Sequence, residues 1–98
     1  MRRGTTQVLI FTVPAEIEID KLYITFCQRG KIVLEKSETD CEISGGRITL
    51  HLTQEDTLKL AAPMAVYIQL RIRDKAGNAL ASDLIHTSAE VILKDGVI

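Results

Sequence analysis

The chain has 98 residues, of which 46% are hydrophobic and 26% are charged, and its formal net charge is -1. This composition excludes a disordered chain and predicts a single globular domain spanning residues 1–98, with room for one core. The balanced charge gives no electrostatic footprint for nucleic acid, and no apolar run approaches the roughly 18 residues that suggest a membrane-spanning helix.

The N-terminal sequence MRRGTTQVLIFTVPAE combines two arginines with an apolar run, as signal peptides do. The run from Val8 to Val13 is shorter than a usual signal-peptide core, and Thr12 interrupts it. We therefore interpret Thr6–Val13 as the first strand, and expect a protein that is assembled in the cytoplasm without a signal peptide. Its apolar residues fall at odd and even positions, which predicts a strand covered on both faces, ended by Pro14.

Two further hairpins are predicted downstream of this strand. Apolar residues occupy odd positions in Glu16–Asp20 and even positions from Lys21 onwards, so a bend or bulge is expected near Asp20-Lys21. Arg29-Gly30 and Gly45-Gly46 are tight-turn sequences, because glycine tolerates positive φ. The strands that they join are Lys21–Gln28 with Lys31–Lys36, and Thr39–Ile43 with Arg47–Leu52.

The sequence LTQEDTLKL, residues 52–60, interrupts this alternation with the signals of a short helix. Thr53 is a good N-cap, and Thr53-x-x-Asp56 is a variant of the capping box. Pro63 limits the helix to about two turns. Glu55 and Asp56 are neighbours on this helix and do not face each other across a cleft, so a helix cap is a better interpretation than a catalytic pair. The residues expected to seal one open end of the sandwich are Leu58 and Leu60.

The clearest strand is Met64–Arg73, which alternates strictly between apolar and polar residues. The loop Asp74–Asn78 predicts a type I turn with Gly77 left-handed. A final strand region, Ala79–Lys94, is expected to break near Ser82-Asp83. These short strands, with turn signals every eight to twelve residues, predict an all-β fold. We expect an antiparallel Ig-like β-sandwich of about seven strands with one short helical crossover near residues 54–60.

No residue pattern predicts a catalytic, cofactor-binding or metal site. His51 and His86 fall off the inner faces of their strands, so we expect them to be solvated. Cys27 and Cys41 have neither the spacing nor the additional ligands of a zinc site. We expect fully buried free thiols for this pair, with a disulfide as the alternative.

The outer face of Met64–Arg73 is the candidate interaction surface. Tyrosine and arginine are enriched in protein interfaces, although a solvated face with extended arginines has the same pattern. One short stripe without an aromatic platform does not favour a nucleic-acid groove. The residues of the candidate protein interface are Tyr67, Gln69, Arg71 and Arg73.

Two motifs resemble a known family. These are LTQEDTL at residues 52–58 and Arg71-x-x-Asp74-x-x-Gly77, which is followed by Ser82. Together with the strand order they resemble small β-sandwich proteins of tailed bacteriophages and prophages, in particular the amino-terminal domain of phage baseplate upper proteins. The resemblance covers about residues 8 to 95, and its motifs are short and built from residues that determine a fold.

The resemblance implies a non-enzymatic tail or baseplate component that resides in the virion and acts through protein–protein contacts. Its expected partners are other phage structural proteins and further copies of itself, with no cofactor, nucleic acid or membrane. The alternative is a ligand- or carbohydrate-binding β-sandwich module. Sugar sites commonly present aromatic rings, and this chain has only four aromatic residues: Phe11, Tyr23, Phe26 and Tyr67.

Overall fold

The computed structural model describes all 98 residues and has the predicted all-β fold, an antiparallel sandwich of two sheets. A turn of 3-10 helix, Glu38–Asp40, separates the third and fourth strands. The elements in chain order are β1 (Gln7–Thr12), β2 (Ile19–Gln28), β3 (Lys31–Ser37), β4 (Cys41–Ser44), β5 (Arg47–Leu52), α1 (Gln54–Leu58), β6 (Met64–Asp74), β7 (Ala79–Ala81) and β8 (Ile85–Ala89).

The two sheets differ in width. The smaller sheet has the order β1-β5-β4, and the larger sheet has the order β3-β2-β6, with β7 and β8 both pairing with the far edge of β6. β7 pairs with residues 71–73 and β8 pairs with residues 64–68. We call the end of the sandwich that carries α1 the lower end, and the end that carries the loop at residues 74–78 the upper end.

The core is built from aliphatic side chains on the facing surfaces of the two sheets, together with Phe26. Strict alternation places every second residue of β6 inside, and the four predicted inner residues, Val66, Ile68, Leu70 and Ile72, are all buried. β-branched and aliphatic residues favour this pleated geometry, because their side chains pack against cross-strand neighbours. The core cluster comprises 13 buried residues.

The predicted irregularities in the chain are present. The register between β2 and β6 shifts between Ile19 and Lys21, as the change of apolar parity requires. Thr53 caps α1, and a capping box joins Thr53 to Asp56. Gly77 has a φ of 91°, the left-handed conformation expected in the hairpin loop. Leu60 is buried and Leu58 is half-buried at the lower end, which confirms their role in closing it.

Three predictions about strands were wrong in detail. β1 is covered on one face only, and Val8 and Ile10 on its other face are 54% and 57% exposed. The predicted strand Thr39–Ile43 begins at Cys41, because residues 38–40 form the 3-10 turn. The last strand ends at Ala89, not at Lys94. The expected break near Ser82-Asp83 is present, since β7 ends at Ala81 and β8 begins at Ile85, and the chain has eight strands.

The N-terminal segment passes from one sheet to the other. Arg2 pairs in parallel with Glu90 beside the larger sheet, and the chain then enters β1 in the smaller sheet. Gly4 lies at the crossing with a φ of 71°, where a side chain would meet Ile92. The guanidinium of Arg3 donates hydrogen bonds to the carbonyl oxygens of Leu58 and Leu60, at 2.9 and 2.6 Å, and to the carboxylate of Asp95, at 2.7 Å. Arg3 therefore ties both terminal segments to the end of α1.

Candidate functional site

The four predicted interface residues lie on one face of β6, where alternation points them away from the core. β6 is flanked by β2 on one side and by β7 and β8 on the other, so this face is the centre of the larger sheet. Tyr67 and Gln69 are half-buried, and Arg71 and Arg73 are exposed. The structure thus brings the four side chains together but gives them different surroundings.

Tyr67 and Gln69 are engaged by the neighbouring edge of the sheet. The ring of Tyr67 packs edge-on against His86 of β8, with a centroid distance of 4.6 Å and an interplanar angle of 77°. The side-chain amide of Gln69 donates a hydrogen bond to the carbonyl oxygen of Ser82, at 3.0 Å. Both residues therefore help to hold the segment that contains β7 and β8 against β6.

The upper part of this face carries an excess of positive charge. Arg73 forms an ion pair with Asp20 at 2.7 Å, but both side chains are about half exposed, so the pair contributes about 0–1 kcal/mol. Arg71 makes no side-chain hydrogen bond or ion pair. Across the strand pair it faces Tyr23, which is 41% exposed, and Lys21 faces Arg73. Three cations and one carboxylate therefore surround Tyr23.

These residues line a shallow depression of about 190 Å³ between β2, β6 and β7. Lys21 and Tyr23 were not predicted to belong to this surface, because no residue pattern within β2 or β6 indicates that the two strands pair. The parity change near Asp20 was the available clue, since it fixes which residues of β2 share a face with Arg71 and Arg73. The extended surface is suited to a partner that presents carboxylates and a flat apolar group.

The motif residues Asp74 and Ser82 have structural roles. The carboxylate of Asp74 accepts hydrogen bonds from the backbone and side chain of Asn78, at 2.8 and 3.2 Å, and so closes the loop. The backbone N–H of Asn78 is the main cause of a lowered pKa at Asp74, since it stabilises the charged carboxylate. The side-chain hydroxyl of Ser82 accepts a hydrogen bond from the backbone N–H of Leu70, and the backbone N–H of Ser82 donates one to the Leu70 carbonyl oxygen. These two bonds satisfy the edge of β6 between β7 and β8.

The acidic pair of LTQEDTLKL has separate structural environments. Glu55 is exposed, whereas Asp56 is buried. One carboxylate oxygen of Asp56 accepts a hydrogen bond from the Thr53 N–H at 2.9 Å, and the other pairs with the ammonium of Lys36 at 2.9 Å. Burial raises the pKa of Asp56, but the Thr53 hydrogen bond and Lys36 outweigh it, so the pKa is lowered overall. Asp56 is thus an ionised carboxylate that joins α1 to β3.

The remaining titratable groups lie apart. His51 and His86 are exposed, as predicted. Cys27 and Cys41 are both free and half-buried, so the expectation of full burial was wrong. Burial raises the pKa of Cys41, and the neighbouring Asp40 and Glu38 raise it further. A surface depression of about 380 Å³ lies at the lower end beside His51, and no Phe, Tyr or Trp side chain lines it.

No group of three or more His, Cys, Asp or Glu side chains has the arrangement of a metal site. None of the helices has the length and apolar character that crossing a bilayer requires. Comparison with protein-family models, with curated protein sequences and with solved structures found no significant match.

Proposed function

We propose that this chain is a non-enzymatic structural or assembly protein of a phage or prophage, of the tail or baseplate type, which acts through protein–protein contacts. The observation that carries the proposal is its exposed apolar surface. Twelve large hydrophobic residues are exposed, which is nearly as many as the 13 that form the core. Scattered single residues need no explanation, but such an amount on a chain of 98 residues favours a protein that is covered by partners.

The upper part of the larger sheet supports a specific contact. Arg71 and Tyr23 are exposed on a flat, regular surface, and both residue types contribute disproportionately to interface energy. Arg71 has no internal partner, so its planar guanidinium is free to bind a carboxylate in a bidentate manner. We expect this surface to contact an acidic region of another phage structural protein.

The resemblance to baseplate upper proteins supports the virion as the location. The motif residues Asp74, Gly77 and Ser82 shape the β6–β7 hairpin and the edge of β6. They are therefore stronger support for the β-sandwich fold than for a role in a baseplate. The proposed role therefore depends on the contact surfaces, and the location depends on the resemblance.

The test is mass spectrometry of particles purified after prophage induction in the source organism. We expect the chain to be present in tails or complete particles at a stoichiometric level, and its copy number to give the symmetry of the ring that it joins. Particles that form normally without the chain would refute the proposal.

Charge reversal tests the surface itself. Arg71→Glu should reduce incorporation into particles at least tenfold while leaving the melting temperature unchanged, because the Arg71 side chain makes no hydrogen bond or ion pair within the chain. Lys94→Glu is the matched control, since Lys94 is also exposed and unpaired but lies in the C-terminal tail. Tyr67→Ala with Arg71→Glu should abolish assembly and lower the melting temperature by a few degrees, because Tyr67 also packs on His86. Equal incorporation of the Arg71 and Lys94 variants would exclude this surface.

A further inference from the structure

The smaller sheet ends in an unusual edge at β1. Residues 5–15, TTQVLIFTVPA, contain no charged side chain, and β1 pairs with β5 on one side only. Apart from the ladder with β5, no hydrogen bond engages the backbone of residues 8–12. Natural proteins usually protect such an edge with charges, proline, bulges or extreme shortness.

The other edges carry this protection. β3 contains Lys31, Glu35 and Lys36, and β4 has four residues, one of which is Glu42. β7 has three residues. The end of β8 is covered by residues 1–3, which bond to the backbone of residues 88–90. The part of β8 without such contacts is residues 85–87, so β1 is the longest edge that is left open without a charged side chain.

The larger sheet extends beyond β1 on its inner face. Leu80 pairs with Ile72 and Ile85 pairs with Ile68, so both occupy positions of the inner face, yet they are 48% and 41% exposed. The smaller sheet is three strands wide and does not reach over them. A fourth strand added to β1 would cover these side chains.

An apolar trough marks the place of that strand. It has a volume of about 220 Å³ and lies between β1 with its following loop and β6–β7. No charged residue lines it, so an inward-facing charge on an occupant would be buried without a partner. The lining residues are Phe11, Thr12, Val13, Pro14, Ile17, Leu70, Ile72, Leu80, Ala81 and Ser82.

We propose that the open edge of β1 accepts an extended, uncharged β-strand from a neighbouring protein, which becomes the fourth strand of the smaller sheet. Backbone hydrogen bonds to β1 supply affinity, and apolar side chains at alternate positions fill the trough and cover Leu80 and Ile85. The outward face of the strand packs beside Val8 and Ile10, which sequence analysis predicted to be covered.

A second whole copy of the chain does not fit this site. Antiparallel pairing of two β1 strands about a two-fold axis places both larger sheets on the same side of the joined smaller sheets. The β7–β8 edge extends beyond β1, so the larger sheet of the second copy would enter the space that β7 and β8 occupy. A single strand from a different protein avoids this overlap. That this neighbour belongs to a virion rests on the function proposed above, whereas the strand-accepting edge does not.

The probe for the experiment is a synthetic peptide with the sequence TTQVLIFTV, flanked by two lysines at each end for solubility. Binding is measured by calorimetry with the full chain, and a scrambled peptide of the same composition is the control. We expect binding of the first peptide and none of the second. Backbone amide shifts in NMR spectra should be concentrated in residues 8–17, 70–72 and 80–85, which form the open edge and the trough.

Leu80→Asp should weaken peptide binding at least about tenfold, because the carboxylate would be buried under the added strand. Ile32→Asp is the matched control, since Ile32 is 64% exposed on the opposite edge of the same sheet, and it should bind normally. Circular dichroism establishes that both variants fold. No peptide binding at millimolar concentration, an equal loss in both variants, or amide shifts centred on residues 31–37 of β3, at the opposite edge of the larger sheet, would overturn the proposal.

Sedimentation velocity of the chain alone completes the test. We expect a monomer, and a dimer that Leu80→Asp abolishes would assign the edge to a second copy and overturn the proposal of a foreign strand. The result is independent of the particle experiment. Peptide binding by a chain that is absent from particles would refute only the virion role, and incorporation without peptide binding would refute only the strand-accepting edge.

Discussion

Removal of the Asp56 carboxylate tests the interpretation of LTQEDTLKL as a structural joint. In Asp56→Ala the Thr53 N–H loses its hydrogen bond, which costs about 1 kcal/mol. The ammonium of Lys36 also loses its 2.9 Å partner. Because the Lys36 side chain is 20% exposed, it can turn partly towards water, and we expect about 2 kcal/mol from this loss. The total of about 3 kcal/mol corresponds to a decrease of about 12–24 °C in the melting temperature of a domain of this size.

The assay is urea unfolding of three variants at neutral pH. Asp56→Asn keeps an oxygen that can accept from Thr53 but loses the charge, so it should cost about 2 kcal/mol. Glu55→Ala is the control, because Glu55 is the exposed neighbour, and it should stay within about 0.5 kcal/mol of the unaltered chain. If Asp56→Ala costs no more than Glu55→Ala, the carboxylate does not join α1 to β3 and the reasoning is wrong.

The same comparison has a defined pH dependence. The pKa of Asp56 is lowered in the folded chain, so its carboxylate binds fewer protons there than in the unfolded chain at acidic pH. Its contribution is complete above the unfolded pKa of about 3.9, and is lost as the pH falls through the folded pKa. The stability difference between the unaltered chain and Asp56→Asn should therefore be constant above about pH 5 and shrink below about pH 4. A difference that grows in acid would contradict this assignment.

Three further predictions concern stability and reactivity. Gly46→Ala should lower the free energy of unfolding by about 3 kcal/mol, since its side chain would overlap the Val13 carbonyl, whereas Gly45→Ala has open space and should cost about 1 kcal/mol. Gln28→Leu should cost about 2–3 kcal/mol in urea unfolding, because the buried amide of Gln28 satisfies both backbone groups of Ala61; a loss below 0.5 kcal/mol would disprove that role. In a Cys27→Ser background, iodoacetamide should alkylate Cys41 more slowly in the folded chain than in urea, because its pKa is raised, and equal rates would contradict the burial of this thiol.

The sequence predicts the parts of the fold that depend on local pattern. Alternation identified the buried face of β6, and the parity change identified the bulge near Asp20. The Thr53 capping box was also visible, because all of its groups lie within four consecutive residues. In each case one short segment contains the whole physical cause.

Features that join distant segments were not predictable in this way. Lys36 faces inward because of its pairing with Ile24, and it meets Asp56 only after α1 has crossed between the sheets. The exposure of Val8 and Ile10 depends on what packs on the outer face of the smaller sheet. The residue pattern within β1 does not predict whether anything covers that face. Lys21 and Tyr23 join the candidate surface through strand pairing alone.

The pairing of residues 1–3 with residues 88–90 has a consequence for biosynthesis. Residues 1–3 are synthesised before residues 88–90, so they have no pairing partner until β8 has been made. Until the C-terminal segment has been made, Arg3 cannot bind Asp95, and the uncharged β1 has no strand partner until β5 has been made. Contacts between distant parts of a chain also form slowly, because the entropy cost of closing a long loop comes before the contacts can stabilise the fold. The fold is therefore completed only after residues 88–95 have been made, and a chaperone that shields residues 5–15 during synthesis should increase the yield of soluble protein.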